Sequence, residues 1–213
     1  MKSSIKVAVV AFFAIGISAY AQVGFVRPEI SYLKITNSVP LGISGNNQDL
    51  KGTVGYGVAG GSLYGEQNEH EISLSISFAE SKASVTEPFA MSDVSGTVND
   101  SVKLKTMTIL ANYRYYTGAK ADPARFYVGP SIGTMHITGN ETATATAGTE
   151  TMSDSEGIGT KNPWTAALAI GVTVKLADKI DLDLGYRYTY GLNKSWGEHV
   201  KSNSLYAGVG FKF

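Results

Sequence analysis

The chain has 213 residues, balances 18 basic against 18 acidic side chains, is 43% hydrophobic and contains no cysteine. That composition excludes disulfides, leaves no basic footprint for nucleic acid, and places no histidine or carboxylate cluster at metal-ligand spacing. Its 24 glycines and 12 tyrosines suit strands and turns better than helices.

In chain order, Lys2 and Lys6 precede an apolar run over 7–17, which ends in Ala19-Tyr20-Ala21. A charged start, a short apolar stretch and a small-x-small site predict a cleaved signal peptide over 1–21 and a mature domain over 22–213. The run is shorter than the roughly 20 residues a membrane helix needs. With no cysteine after it, a lipoprotein anchor is not expected. Loss of Lys2 and Lys6 leaves 16 basic against 18 acidic residues, a net charge of −2.

Beyond this leader the sequence has a period of two. Alternation predicts eight strands, at 25–35, 53–64, 71–82, 102–116, 125–138, 164–176, 180–192 and 202–213. The intervening connections at 65–70, 117–124 and 177–179 are short, whereas those at 83–101 and 139–163 are long. Alternating short turns and long loops around an even number of strands predict an all-β, eight-stranded antiparallel up-and-down transmembrane β-barrel. Its seventh strand shows the parity best: Ile180, Leu182, Leu184, Tyr186, Tyr188, Tyr190 and Leu192 share one face, and Asp181, Asp183, Arg187 and Thr189 share the other. Aromatic residues on the apolar parity collect toward both strand ends, as interfacial girdles do. Pro28 and Pro130 also lie on that parity. Lacking a donor for the ladder, each is expected to mark a bulge.

The opposite parity gathers Arg27, Glu29, Glu71, Arg114, Arg125, Lys175, Asp181, Asp183, Arg187 and Lys212. An eight-stranded barrel is just wide enough to be filled by its own side chains, so these ten are expected to crosslink as a structural plug.

Gly55, Gly57 and Gly60 match a dinucleotide fingerprint by letter, but they lie inside an alternating strand without the helix that the motif needs. His199 and Ser202 resemble part of a lipid A deacylase signature, yet their spacing puts them on opposite faces of a strand. No catalytic residue and no cofactor is expected. The loop at 139–163 has a threonine-alanine alternation that could extend a hairpin above the membrane, with Gly148 turning the chain. Its acids Glu141, Glu150, Asp154 and Glu156 give an anionic tip. It reads as a solvated loop or as an adhesive edge that recruits a partner by strand addition.

The closing segment Leu205-Tyr-Ala-Gly-Val-Gly-Phe-Lys-Phe213, with the leader and the loop asymmetry, resembles the small eight-stranded outer-membrane barrels of the OmpA transmembrane-domain and OmpX-like group. That resemblance implies outer-membrane lipid or lipopolysaccharide as surroundings, and Phe211 and Phe213 as the signal read by the barrel-assembly machinery. It also implies a role in membrane integrity, adhesion or host interaction, with an extracellular partner met through the loops. A monomer is expected, with no peptidoglycan-binding domain after Phe213. A small-solute channel, a lipid A-modifying barrel enzyme and a soluble lipocalin-like carrier are the alternatives.

Overall fold

The computed structural model describes residues 23–36, 38–40, 47–91, 94–195 and 197–213. The expected signal peptide lies outside them. Eleven strands are formed in this part of the chain: β1 (Val23–Ile35), β2 (Ser38–Pro40), β3 (Asn47–Asp49), β4 (Thr53–Tyr64), β5 (His70–Met91), β6 (Val94–Tyr116), β7 (Ala124–Ala147), β8 (Glu150–Lys161), β9 (Trp164–Ala177), β10 (Ile180–Ser195) and β11 (Glu198–Lys212).

Eight of them close a ring of antiparallel neighbours, β1-β4-β5-β6-β7-β9-β10-β11 and back to β1. Closure gives each strand of the ring a partner on both sides, which is what a strand needs in a medium with no water to pair with. Within the ring one parity is turned outward and is apolar. Val26, Ile30, Val128, Ile132, Leu168, Ile170, Leu184 and Leu205 are all exposed. Tyr113, Tyr115, Phe126, Phe211 and Phe213 ring the end that carries the short turns. Tyr32, Tyr56, Trp164 and Tyr188 ring the other end. The inward parity holds buried charge. A lipocalin-like carrier would have the two parities exchanged, so that alternative is ruled out.

Three features differ from the sequence expectations. First, β5, β6 and β7 run far past the girdle. The connection expected as a loop at 83–101 is instead a β5–β6 hairpin paired from His70↔Tyr115 through Met91↔Val94. Likewise 139–163 folds back as β7–β8 around Gly148, whose φ of +58° suits glycine. Second, neither proline makes a bulge. At Arg27 and Pro28 the pairing of β1 with β11 lapses and resumes in the same register, while pairing with β4 is unbroken. Pro130 behaves alike between β6 and β9. The missing N–H is absorbed as a local gap in one ladder rather than by inserting a residue. Third, β2 and β3 form a separate two-stranded ribbon.

The wall of β6 and β7 is tight enough to demand glycine. A Cβ at Gly133 would stand 1.9 Å from the Ile109 carbonyl oxygen, whereas at Gly157 on the β8 hairpin the nearest atom would be 3.9 Å away. Gly133→Val is therefore expected to lower the folded fraction read from heat-modifiable gel mobility, and Gly157→Ala to leave it at the wild-type level.

Candidate functional site

The lumen is stratified. In the turn-end half of the ring β1, β5, β6 and β10 project three arginines and three carboxylates toward the axis: Arg27, Arg114 and Arg187 against Glu29, Glu71 and Asp183. Small neighbours such as Gly208 and Ser73 leave these long side chains room. Arg27 reaches Glu29 at 3.1 Å, Glu71 at 2.9 Å and Asp183 at 3.0 Å. Arg114 lies 2.6 Å from Asp183 and 3.6 Å from Glu71, and Arg187 lies 3.8 Å from Glu29. The formal charges cancel, which a buried cluster requires.

Tyrosine hydroxyls complete the layer. Tyr116 donates to Glu71. Tyr127 donates to Asp183 at 2.7 Å and stands 2.6 Å from the Tyr206 hydroxyl. The Arg114 guanidinium also lies over the Tyr127 ring, 4.5 Å from its centre, and Arg187 over Tyr206 at 4.8 Å. These three tyrosines share the charged parity but were not singled out by sequence. Their signal was an aromatic side chain alternating in phase with arginine or glycine.

Four of the ten expected plug residues do not join this layer. Arg125, Lys175, Asp181 and Lys212 line a vestibule of about 330 Å³ at the turn end, with Phe25 and Asn68. There Lys212 pairs with Asp181, Arg125 donates to the Asn68 carbonyl at 3.1 Å, and Lys175 reaches Asp178 at 2.9 Å. The hydrogen bond and charge of Lys175 hold the exposed Asp178 carboxyl below its usual range. That rim pair is thus in place above the ordinary carboxylate pKa and is lost as pH falls through the lowered value. The structure thus brings six of the ten together in one layer and places the other four at the mouth, because parity tells which way a side chain faces but not its height.

Toward the other end, a pocket of about 40 Å³ lined by Ser31, Ser77, Thr106 and Ser204 separates the charges from an apolar cap. Ile35, Leu50, Ala83, Val102, Leu104, Met135, Ile137 and Val200 pack together there, all nearly inaccessible. The lumen is therefore interrupted twice, by salt bridges and by hydrocarbon.

Past the cap, β5, β6, β7 and β8 continue as one sheet. Its outer face is ranked with small polar side chains: Ser84, Ser101, Thr142 and Ser155 stand in one row across four strands, and Thr86, Asn99, Thr144 and Ser153 in the next. Hydroxyls bridge neighbours at 3.2 Å between Thr142 and Ser155 and between Thr144 and Ser153. The opposite face bears Glu87, Glu150, Asp154 and Glu156. The threonine-alanine alternation is thus a hairpin strand with hydroxyls on one side.

The rejected motifs fall where their context put them. Gly55, Gly57 and Gly60 sit in the β4 ladder. His199 stacks on Tyr190 and lies 2.8 Å from the Gly191 carbonyl oxygen, while Ser202 is buried toward the lumen. Among the described residues, no group of three or more His, Asp or Glu side chains could hold a metal.

A family model described as the outer membrane protein beta-barrel domain matches residues 7–213. Among solved structures, Neisserial surface protein A is 17% identical, with 89% of this chain and 97% of that one covered at a TM-score of 0.54. The attachment invasion locus protein of Yersinia pestis is 14% identical over 91% and 99% of the two chains, with a TM-score of 0.48. OprG from Pseudomonas aeruginosa is 11% identical over 91% and 96%, also at 0.48. At these identities the likeness concerns the fold. No curated protein matches the sequence.

Arg114→Met would strand Asp183 and Glu71 as buried, undercompensated carboxylates. It is expected to cost about 3–5 kcal/mol in urea unfolding from lipid vesicles. Adding Asp183→Leu restores the charge balance and is expected to recover most of that loss; a double variant no more stable than the single one would contradict the network reading.

Proposed function

Because the chain belongs to the outer membrane protein β-barrel domain family, we propose that it is a non-catalytic, non-conducting outer-membrane anchor that holds a rigid sheet outside the cell for an extracellular partner. The protein is an outer-membrane β-barrel, so its short turns face the periplasm and its long hairpins face outward. The carrying observation is that the outer sheet continues the barrel wall. β6 pairs with β7 without a change of register from Tyr116↔Tyr127 to Gly96↔Ala147. A sheet that shares its strands with the membrane domain is held in a fixed pose, as a contact surface has to be.

The lumen supports the non-conducting half of this reading. A solute would have to separate three arginines from three carboxylates and then part an apolar cap, each a costly step. A lipid-modifying enzyme would need a nucleophile and base on one face, and His199 and Ser202 are turned apart. A closed ring leaves no edge for a second copy to extend within the membrane, which favours a monomer. Phe211 and Phe213, exposed at the turn end, are suited to be read by the assembly machinery during biogenesis.

Purified protein in planar bilayers is expected to show no large, stable ohmic steps; such steps would sink the closed-lumen reading. Cells displaying a variant in which 142–157 is replaced by a tight turn are expected to attach less well to protein-coated surfaces, with barrel mobility on gels retained. Attachment as strong as wild type would remove the display role. Deleting Phe213 is expected to lower the membrane-assembled fraction, and unchanged assembly would count against its being a signal.

A further inference from the structure

One sector of the outward parity, just beyond the hairpin-end girdle, is strongly cationic. Across the β5–β6 ladder Glu80 stands opposite Lys105, and Lys82 opposite Lys103. Lys103 Nζ lies 2.9 Å from Glu80 Oε1 and Lys82 Nζ lies 3.6 Å from the same oxygen. The Lys51 N–H donates to the Lys82 carbonyl at 3.1 Å, which brings a fourth lysine to this rim. Two ammonium groups, those of Lys82 and Lys103, thus share a single carboxylate, Lys105 stands opposite it in the ladder, and Lys51, Lys82 and Lys105 are exposed. One carboxylate oxygen cannot neutralise two neighbouring ammoniums, so the surplus is positive and directed outward.

Immediately below, on the same parity, the surface turns apolar. Tyr56 and Phe78 pack ring against ring at 5.7 Å, Met107 stands opposite Phe78, and Val54 is exposed beside them. The sector therefore has two chemistries stacked along the membrane normal: ammoniums at headgroup level and rings and aliphatic groups at acyl-chain level. A small soluble anion would use only the upper half. A basic cluster directly outside a membrane span attracts anionic headgroups at about a fivefold gain in affinity per lysine.

We propose that this β4–β5–β6 sector is a binding site for a phosphorylated glycolipid of the outer leaflet, with its phosphates on Lys82, Lys103 and Lys105 and its acyl chains against Val54, Tyr56 and Phe78. Glu80 acts as a positioning residue that draws Lys82 and Lys103 together beneath the phosphate. The site rests on the outer-membrane placement and is independent of whether the lumen conducts.

The test is titration of detergent-solubilised full-length protein, its folding verified by heat-modifiable mobility, with bis-phosphorylated lipid A followed by native mass spectrometry. The K82Q/K103Q/K105Q variant is expected to bind on the order of a hundredfold more weakly, and the K82R/K103R/K105R variant to stay near wild type. Dephosphorylated lipid A with the same acyl chains is expected to bind wild-type protein as weakly as the phosphorylated form binds the glutamine variant. Equal binding by the glutamine variant, or equal affinity for the dephosphorylated lipid, overturns the proposal. Displacement of the lipid by millimolar inorganic phosphate alone would also overturn it, assigning the lysines to a free anion.

Discussion

Everything in this molecule depends on the requirement that three guanidiniums and three carboxylates meet inside a closed ring of strands. Arg27, Arg114 and Arg187 come from three strands that are distant in sequence, β1, β6 and β10, and Glu29, Glu71 and Asp183 answer them inside the ring. A barrel of different shear would present the same residues at different heights and leave buried ions unpaired. The network is therefore a test of register as much as a source of cohesion. Whether it adds net stability over a hydrocarbon filling is a separate matter, since desolvation offsets much of the attraction. Its clearer physical effect is to penalise a misthreaded barrel.

The two ends of the lumen are finished with opposite materials. At the turn end, Lys175, Asp178, Asp181 and Lys212 surround a vestibule whose polar groups stay in reach of solvent. At the other end Leu50 enters from the connection between β1 and β4 and seats among Leu104, Met135 and Ile137. A hydrocarbon cap under a water-exposed sheet lets the polar sheet begin abruptly. The strands change from a half-lipidic surface to a surface wetted on both sides within two or three residues, and Glu80, Lys82 and Lys103 mark the change on the outside.

Much of this was legible in the order of residues. The alternation over 180–192 and the girdle aromatics specify facing directly, because a strand inside a bilayer has a sharp contrast between its two sides. The β5–β6 extension was not legible for the same reason turned round. Ser84, Thr86, Asn99 and Ser101 hold one face, but on the other Glu87 and Asp100 interrupt Val85, Val98 and Val102, so the hydrophobic contrast is weak, and Pro88 and Gly96 read as loop residues. Only pairing with a neighbour reveals them as strand. The placement of Arg125 and Lys175 at the mouth was hidden too, since it depends on how far each lies from its turn. The apolar cap had a signal that could have been used: Leu33, Ile35, Leu104, Met135 and Ile137 interrupt the polar parity, always at the same end of their strands.

The pairing of β6 with β7, which keeps one register and lapses only opposite Gly129 and Pro130, has a mechanical consequence. Hydrogen bonds in an antiparallel ladder lie perpendicular to the strands, so a pull on the outer tip along the strand direction stresses them in shear, many at once, instead of peeling them in sequence. The tension passes down both strands into the ring at the level of Arg114 and Tyr127, where salt bridges of Arg114 tie β6 to β1, β5 and β10 and the Tyr127 hydroxyl ties β7 to β10 by a hydrogen bond. A load on the outer sheet is thereby shared with the barrel wall instead of being borne by the tip strands alone.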